Sequence, residues 1–97
     1  MTGVEERTDA EHVRSLRVCP NPVTASTVIS YNLRQSSPVS CGVYDAAGSL
    51  VSRLAVGTQA AGEHQLTWSA AGVKPGIYFC KLVAGNSTHT VRLARVR

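Results

Sequence analysis

The sequence predicts an all-β domain, an antiparallel β-sandwich of seven strands. Three observations carry this reading. Apolar and polar residues alternate in segment after segment, the period-2 signature of half-buried strands. Clusters of Gly, Pro, Asn and Ser interrupt that pattern at short intervals of about 8–12 residues, the turn spacing of a sandwich. From Leu16 onward no stretch keeps the 3.6-residue apolar stripe of a core helix.

Leu16–Cys19 is the first expected strand. Pro20-Asn21-Pro22 ends it, because proline has no N–H to give a ladder. Thr27–Leu33 alternates cleanly, with Ile29, Tyr31 and Leu33 on one face. Gln35–Pro38 turns the chain into Val39–Tyr44, where Val39, Cys41 and Val43 share a face. Asp45-Ala46-Ala47-Gly48 reads as a tight hairpin loop with Gly48 at its left-handed position, and Leu50–Leu54 returns. Gly57–Gly62 bends the chain again, and Glu63–Trp68 then puts His64, Leu66 and Trp68 on one side. The Gly/Pro loop Ala70–Gly76 leads into Ile77–Val83, the most apolar strand. Gly85-Asn86 makes the last turn, and Thr88–Val96 closes the domain with Val91 and Leu93 facing one way. The apolar members of these faces, with Leu16, Val18, Tyr78, Cys80 and Leu82, form the expected core, and Trp68 is its largest member.

The 97 residues suit one domain, and 43% hydrophobic with 16% charged residues is a composition that folds. The net charge of +4 is unevenly spread. Met1–His12 carries Glu5, Glu6, Asp9 and Glu11 against Arg7 alone, while the nine basic residues beyond it meet only Asp45 and Glu63. Residues 1–15 therefore stand apart as an acidic linker or lead-in, and residues 16–97 as the sandwich. Thr8-Asp9-Ala10-Glu11 has the form of a capping box for one helical turn through about Arg14, yet no apolar stripe follows it. No apolar run nears the roughly 18 residues that a membrane-crossing helix needs, so no transmembrane segment is expected. The acidic start also lacks the apolar centre of a signal peptide.

Cys19, Cys41 and Cys80 are too few for a disulfide framework and too widely spaced for a zinc site. Two readings stay open. Each is a small buried hydrophobe, or Cys41 and Cys80 are bridged and Cys19 is the odd thiol.

The sequence offers no catalytic set, and no cofactor or metal is expected. The only acids of the folded part are Asp45, which turn chemistry explains, and Glu63 at a strand start. No serine has a nucleophile-elbow setting, and Gly72-Val73-Lys74-Pro75-Gly76 lacks the spacing of a phosphate loop. His64 on an apolar face reads as a core or rim histidine, and Asn86-Ser87-Thr88 as a turn. Arg92, Arg95 and Arg97 cluster near the C-terminus, but the aromatics that would stack bases lie within strand cores. Arginines guarding a strand edge explain the cluster, and no nucleic-acid partner is expected. Tyr78-Phe79-Cys80 has the Tyr-x-Cys form of an immunoglobulin strand, so the sandwich is expected to be Ig-like in architecture.

Taken in order, the motifs resemble a known family. Pro20-Asn21-Pro22, Ile29-Ser30-Tyr31-Asn32-Leu33 and Val43-Tyr44-Asp45 running into Gly48-Ser49-Leu50-Val51 are similar to its opening blocks. Ala61-Gly62-Glu63-His64 with Trp68, then Pro75-Gly76-Ile77-Tyr78-Phe79, then Thr90-Val91-Arg92-Leu93 continue the series. The chain resembles the C-terminal sorting domain of type IX (Por) secretion cargo, type A, itself similar to the Ig-like domain of the flagellar hook-capping protein. It departs from the pattern at Arg92, where lysine is common, and at Cys19 and Cys80, where aromatics are common.

The resemblance implies a non-catalytic export tag at the end of a larger cargo protein. An outer-membrane translocon would read the last strand through Thr90, Arg92, Leu93, Arg95 and Arg97. A surface sortase-like peptidase would cut within Gly3–Ser15 and attach the cargo to lipopolysaccharide. The protein would then be secreted or held at the bacterial cell surface, reached through the periplasm. A structural or adhesive Ig-like module of a surface or hook-cap-like assembly is the alternative.

Overall fold

The computed structural model describes residues 4–7 and 13–96. Its strands are β1 (Val4–Arg7), β2 (Val13–Cys19), β3 (Ser26–Leu33), β4 (Ser37–Asp45), β5 (Leu50–Gln59), β6 (Gly62–Ser69), β7 (Gly76–Ala84) and β8 (Ser87–Arg95). They form two antiparallel sheets ordered β1-β2-β3-β6 and β5-β4-β7-β8. The chain is an all-β sandwich, with each of the seven expected strands in place.

Two features depart from the expected boundaries. Val4–Arg7, assigned to the acidic lead-in, is a strand paired with β2 in the register Val4↔Val18 to Arg7↔Ser15. β2 itself begins at Val13 rather than Leu16. A register irregularity between Val13 and Ser15 brings Val13 and Leu16, three positions apart, into the same interior. Simple alternation cannot reveal that placement. The capping-box residues Thr8–Glu11 lie outside the described residues.

The core lies between the sheets, where alternate residues of each strand turn inward. Trp68, Tyr31, Leu16, Ile29, Leu33, Leu82 and Leu93 are its largest fully buried side chains. Leu66 is only half-buried, because β6 is the edge of its sheet and Leu66 packs on the core's flank. Val23 and Ala70, which alternation passes over, are fully buried, and Ala84 extends the inward row of Tyr78, Cys80 and Leu82 past the expected end of its strand. β5, the opposite sheet's edge, runs to Gln59 instead of stopping at Leu54. Its pairing with β4 is irregular at two places, and Leu50 and Val56 stay exposed.

The β4–β5 turn follows its sequence logic. One carboxylate oxygen of Asp45 accepts the N–H groups of Ala47 and Ser49, both at 2.9 Å. Gly48, at φ 87°, occupies the left-handed region that side chains avoid.

Candidate functional site

β8 is an edge strand, and its alternation sorts the residues that the sequence singled out. Thr90 and Arg92 are exposed, whereas Val91 and Leu93 are buried to 3% and 1%. Leu93 is thus a core side chain, out of reach while β8 stays in its sheet. Arg95 is half-buried and its Nε donates to the Ala70 carbonyl at 3.1 Å. Its guanidinium also donates to the Val96 carbonyl. Arg97 lies outside the described residues. Of the five expected positions, the fold brings Thr90 and Arg92 together on the solvent side.

These two residues belong to a face unlike that of the other sheet. Thr90 borders an open hollow of about 370 Å³ with Tyr44, Phe79 and Lys81. Lys81 Nζ stands 5.7 Å from the centre of the Tyr44 ring, within cation–π range. Exposed Arg53 and Leu50 lie on the β5 side, so cations and apolar surface are interleaved across the sheet. On the first sheet, the exposed positions of β2 and β6 are Arg14, Arg17, Glu63, Gln65, Thr67 and Ser69, which are polar throughout.

The outer edge of β8 is partly covered by the segment that follows β2. Val23 forms an isolated parallel bridge with Arg95. Its N–H donates to the Ala94 carbonyl at 2.7 Å, and its carbonyl accepts the Val96 N–H at 2.8 Å. Next to it, Asn21 Oδ1 accepts the Ala94 N–H and Nδ2 donates to the Arg92 carbonyl, both at 3.1 Å. A hollow of about 380 Å³ bordered by Asn21, Pro22 and Arg92 lies at this junction. Asn21 and Val23 were not among the expected site residues. Pro20-Asn21-Pro22 was legible as the end of a strand, and an amide between two prolines was its only further signal.

The titratable groups elsewhere have structural placements. His64 lies at the rim, stacked on Tyr31 with ring centres 5.4 Å apart, and its Nε2 donates to the Ala60 carbonyl at 2.7 Å. Burial pushes the Tyr31 phenol up, although its hydrogen bond to Gln59 works in the other direction. Cys41 and Cys80 are buried free thiols with sulfurs 3.8 Å apart. The hydrogen bond with Cys41, and then burial, push the Cys80 thiol up, so it stays protonated. Among the described residues, no three His, Cys, Asp or Glu side chains converge as a metal-holding group. No helix is long and apolar enough to cross a membrane among those residues.

The sequence pattern of one protein family, the secretion system C-terminal sorting domain, matches residues 17–95. The chain belongs to that family. The match runs from the last residues of β2 to the end of β8, including both the Asn21–Val23 segment and the exposed pair Thr90 and Arg92. No curated protein matches the sorting domain with significance. As a type IX sorting tail, it implies a cargo protein handled by that secretion machinery and a secreted or cell-surface destination.

Proposed function

We propose that this domain is a non-catalytic tag that directs a larger cargo across the outer membrane and to attachment at the cell surface. The translocon engages the solvent side of β8, with Thr90 and Arg92 as the side chains it meets. The observation that carries this reading is their shared exposure on an edge strand that the family match includes. Arg92 adds a fixed positive charge, and the guanidinium pairs readily with a carboxylate. Leu93 serves by holding the strand in the sheet, and Arg95 by tying its end to Ala70. The domain consists of the sandwich with a lead-in ahead of it, and the surface peptidase cuts in that lead-in. Within Val4–Arg7 such a cut first requires β1 to leave β2, since a peptidase binds an unpaired chain.

The test is a secreted reporter fused ahead of the domain in a type IX-competent host. Arg92→Glu is expected to leave a folded domain and block export. Normal export of that folded variant would refute the recognition role. A point substitution is the better probe, because removing Ala94–Arg97 would also remove the partners of Val23 and one of the two partners of Asn21.

The alternative, a structural or adhesive module, draws on exposed Leu50 and Val56 at 45% and 64%. Such side chains suit packing against a neighbour in an assembly. It requires a domain that associates in solution and a reporter that is not exported.

A further inference from the structure

We propose that Asn21 is a positioning residue for the terminal strand: it holds the backbone edge of β8 closed from Arg92 to Val96, so that the strand is offered to a partner by its side chains. The inference rests on the reading of β8 as the strand that is recognised.

The geometry is specific to an amide. In an antiparallel edge strand, alternate residues aim both backbone polar groups away from the sheet. The bonds to Asn21 and Val23 show that Ala94 is such a residue, with the Arg92 carbonyl and Val96 N–H pointing the same way. Such a row needs a donor and an acceptor in alternation, as a neighbouring strand would supply. Pro20 and Pro22 have no N–H, so the backbone on either side of Asn21 cannot supply the donor. The Asn21 side chain supplies both groups, and Val23 resumes with true backbone bonds. Together they make four hydrogen bonds that a free edge would otherwise offer to any extended chain.

The same contacts join parts of the domain that are far apart in sequence. Asn21 and Arg92 are 71 residues apart, and the segment starts in the loop between two strands of the opposite sheet. Buried Val23 anchors it, while Thr27 Oγ1 donates to the Pro20 carbonyl at 2.8 Å. Ala70 accepts from Arg95 and donates to Ala25 at 2.7 Å, which steadies the same end of the sandwich. Loss of the Asn21 amide therefore frees the edge locally and leaves the interior packed.

The test uses the whole chain, alone and fused to a secreted reporter. With Asn21→Ala, amide exchange at Ala94 and Val96 is expected to accelerate roughly five- to tenfold, while Val91 and Leu93 keep their rates. Asn21→Asp retains an acceptor but no donor, so exchange at Ala94 should fall between wild type and Asn21→Ala. Export of the Asn21→Ala fusion is expected to fall, and a Leu66→Ala fusion with an equal or greater loss of melting temperature should be exported normally. Unchanged exchange at Ala94 and Val96 would overturn the closure. Faster exchange with normal export would overturn the positioning role. A wild-type fusion that is never exported would refute the sorting reading instead, and the exchange rates would still decide whether Asn21 closes the edge.

Discussion

Trp68 and Tyr78 meet across the sandwich, one from each sheet, with ring centres 5.8 Å apart and planes tilted by 57°. The tilted arrangement suits the quadrupoles of two aromatic rings. Tyr78 also donates its hydroxyl to the Lys74 carbonyl at 2.6 Å, which ties the loop before β7 to the core.

Trp68→Ala is therefore expected to cost about 3–5 kcal/mol, much of the stability of a small domain. Trp68 is 2% exposed, and structure around a deleted core side chain relaxes only in part into the space it filled. Urea denaturation should show a lower midpoint, or the variant should not fold at all.

Asp45→Ala should remove the acceptor that organises the β4–β5 turn. Two backbone N–H groups lose their partner, and a loss of about 1–2 kcal/mol is expected. Asp45→Asn keeps a side-chain oxygen and should recover most of it, as read from thermal melting.

The thiols should react in an order set by exposure. Cys19 is half-exposed, whereas Cys41 and Cys80 are buried to 1% and 0%. The separation of 3.8 Å between the Cys41 and Cys80 sulfurs is a hydrogen-bond distance, against about 2.05 Å in a disulfide. An alkylating reagent should label Cys19 first and the other two only after denaturation, as intact mass would show. Cys41 and Cys80 are thus buried thiols with no bridge between them, whereas half-exposed Cys19 departs from the expectation of a buried hydrophobe.

Tyr31 should give the domain an alkaline sensitivity. Burial raises its folded value above the usual 10.0, so the unfolded phenol releases its proton first. The stabilisation is complete below about pH 10 and is lost as pH rises toward the folded value. Tyr31→Phe loses the bond to Gln59 but does not titrate. The stability difference between wild type and Tyr31→Phe should stay constant below that pH and shift in favour of phenylalanine above it.

Much of this fold was legible because strands report themselves locally. Ile29, Tyr31 and Leu33 turn inward because successive side chains alternate across any strand, wherever that strand lies. Val13 escaped because an irregularity breaks the period, and β1 escaped because VEER carries no alternation of its own. In the terminal strand, period 2 correctly separated Arg92 from Leu93, while the motif alone had grouped them as one signal.

The amino-acid order by itself determined the strands, their turns and most inward faces, since φ/ψ preference and side-chain alternation act over a few residues. Family membership follows from the same local blocks, matched in order over residues 17–95. Tertiary structure alone decided that Asn21 and Val23 close the edge of β8 and that Arg95 is tied to Ala70. The physical reason is range. A hydrogen bond across 71 residues of chain exists only after two sheets have packed and brought an amide to a strand edge. Nothing in the local pattern of either segment encodes its partner.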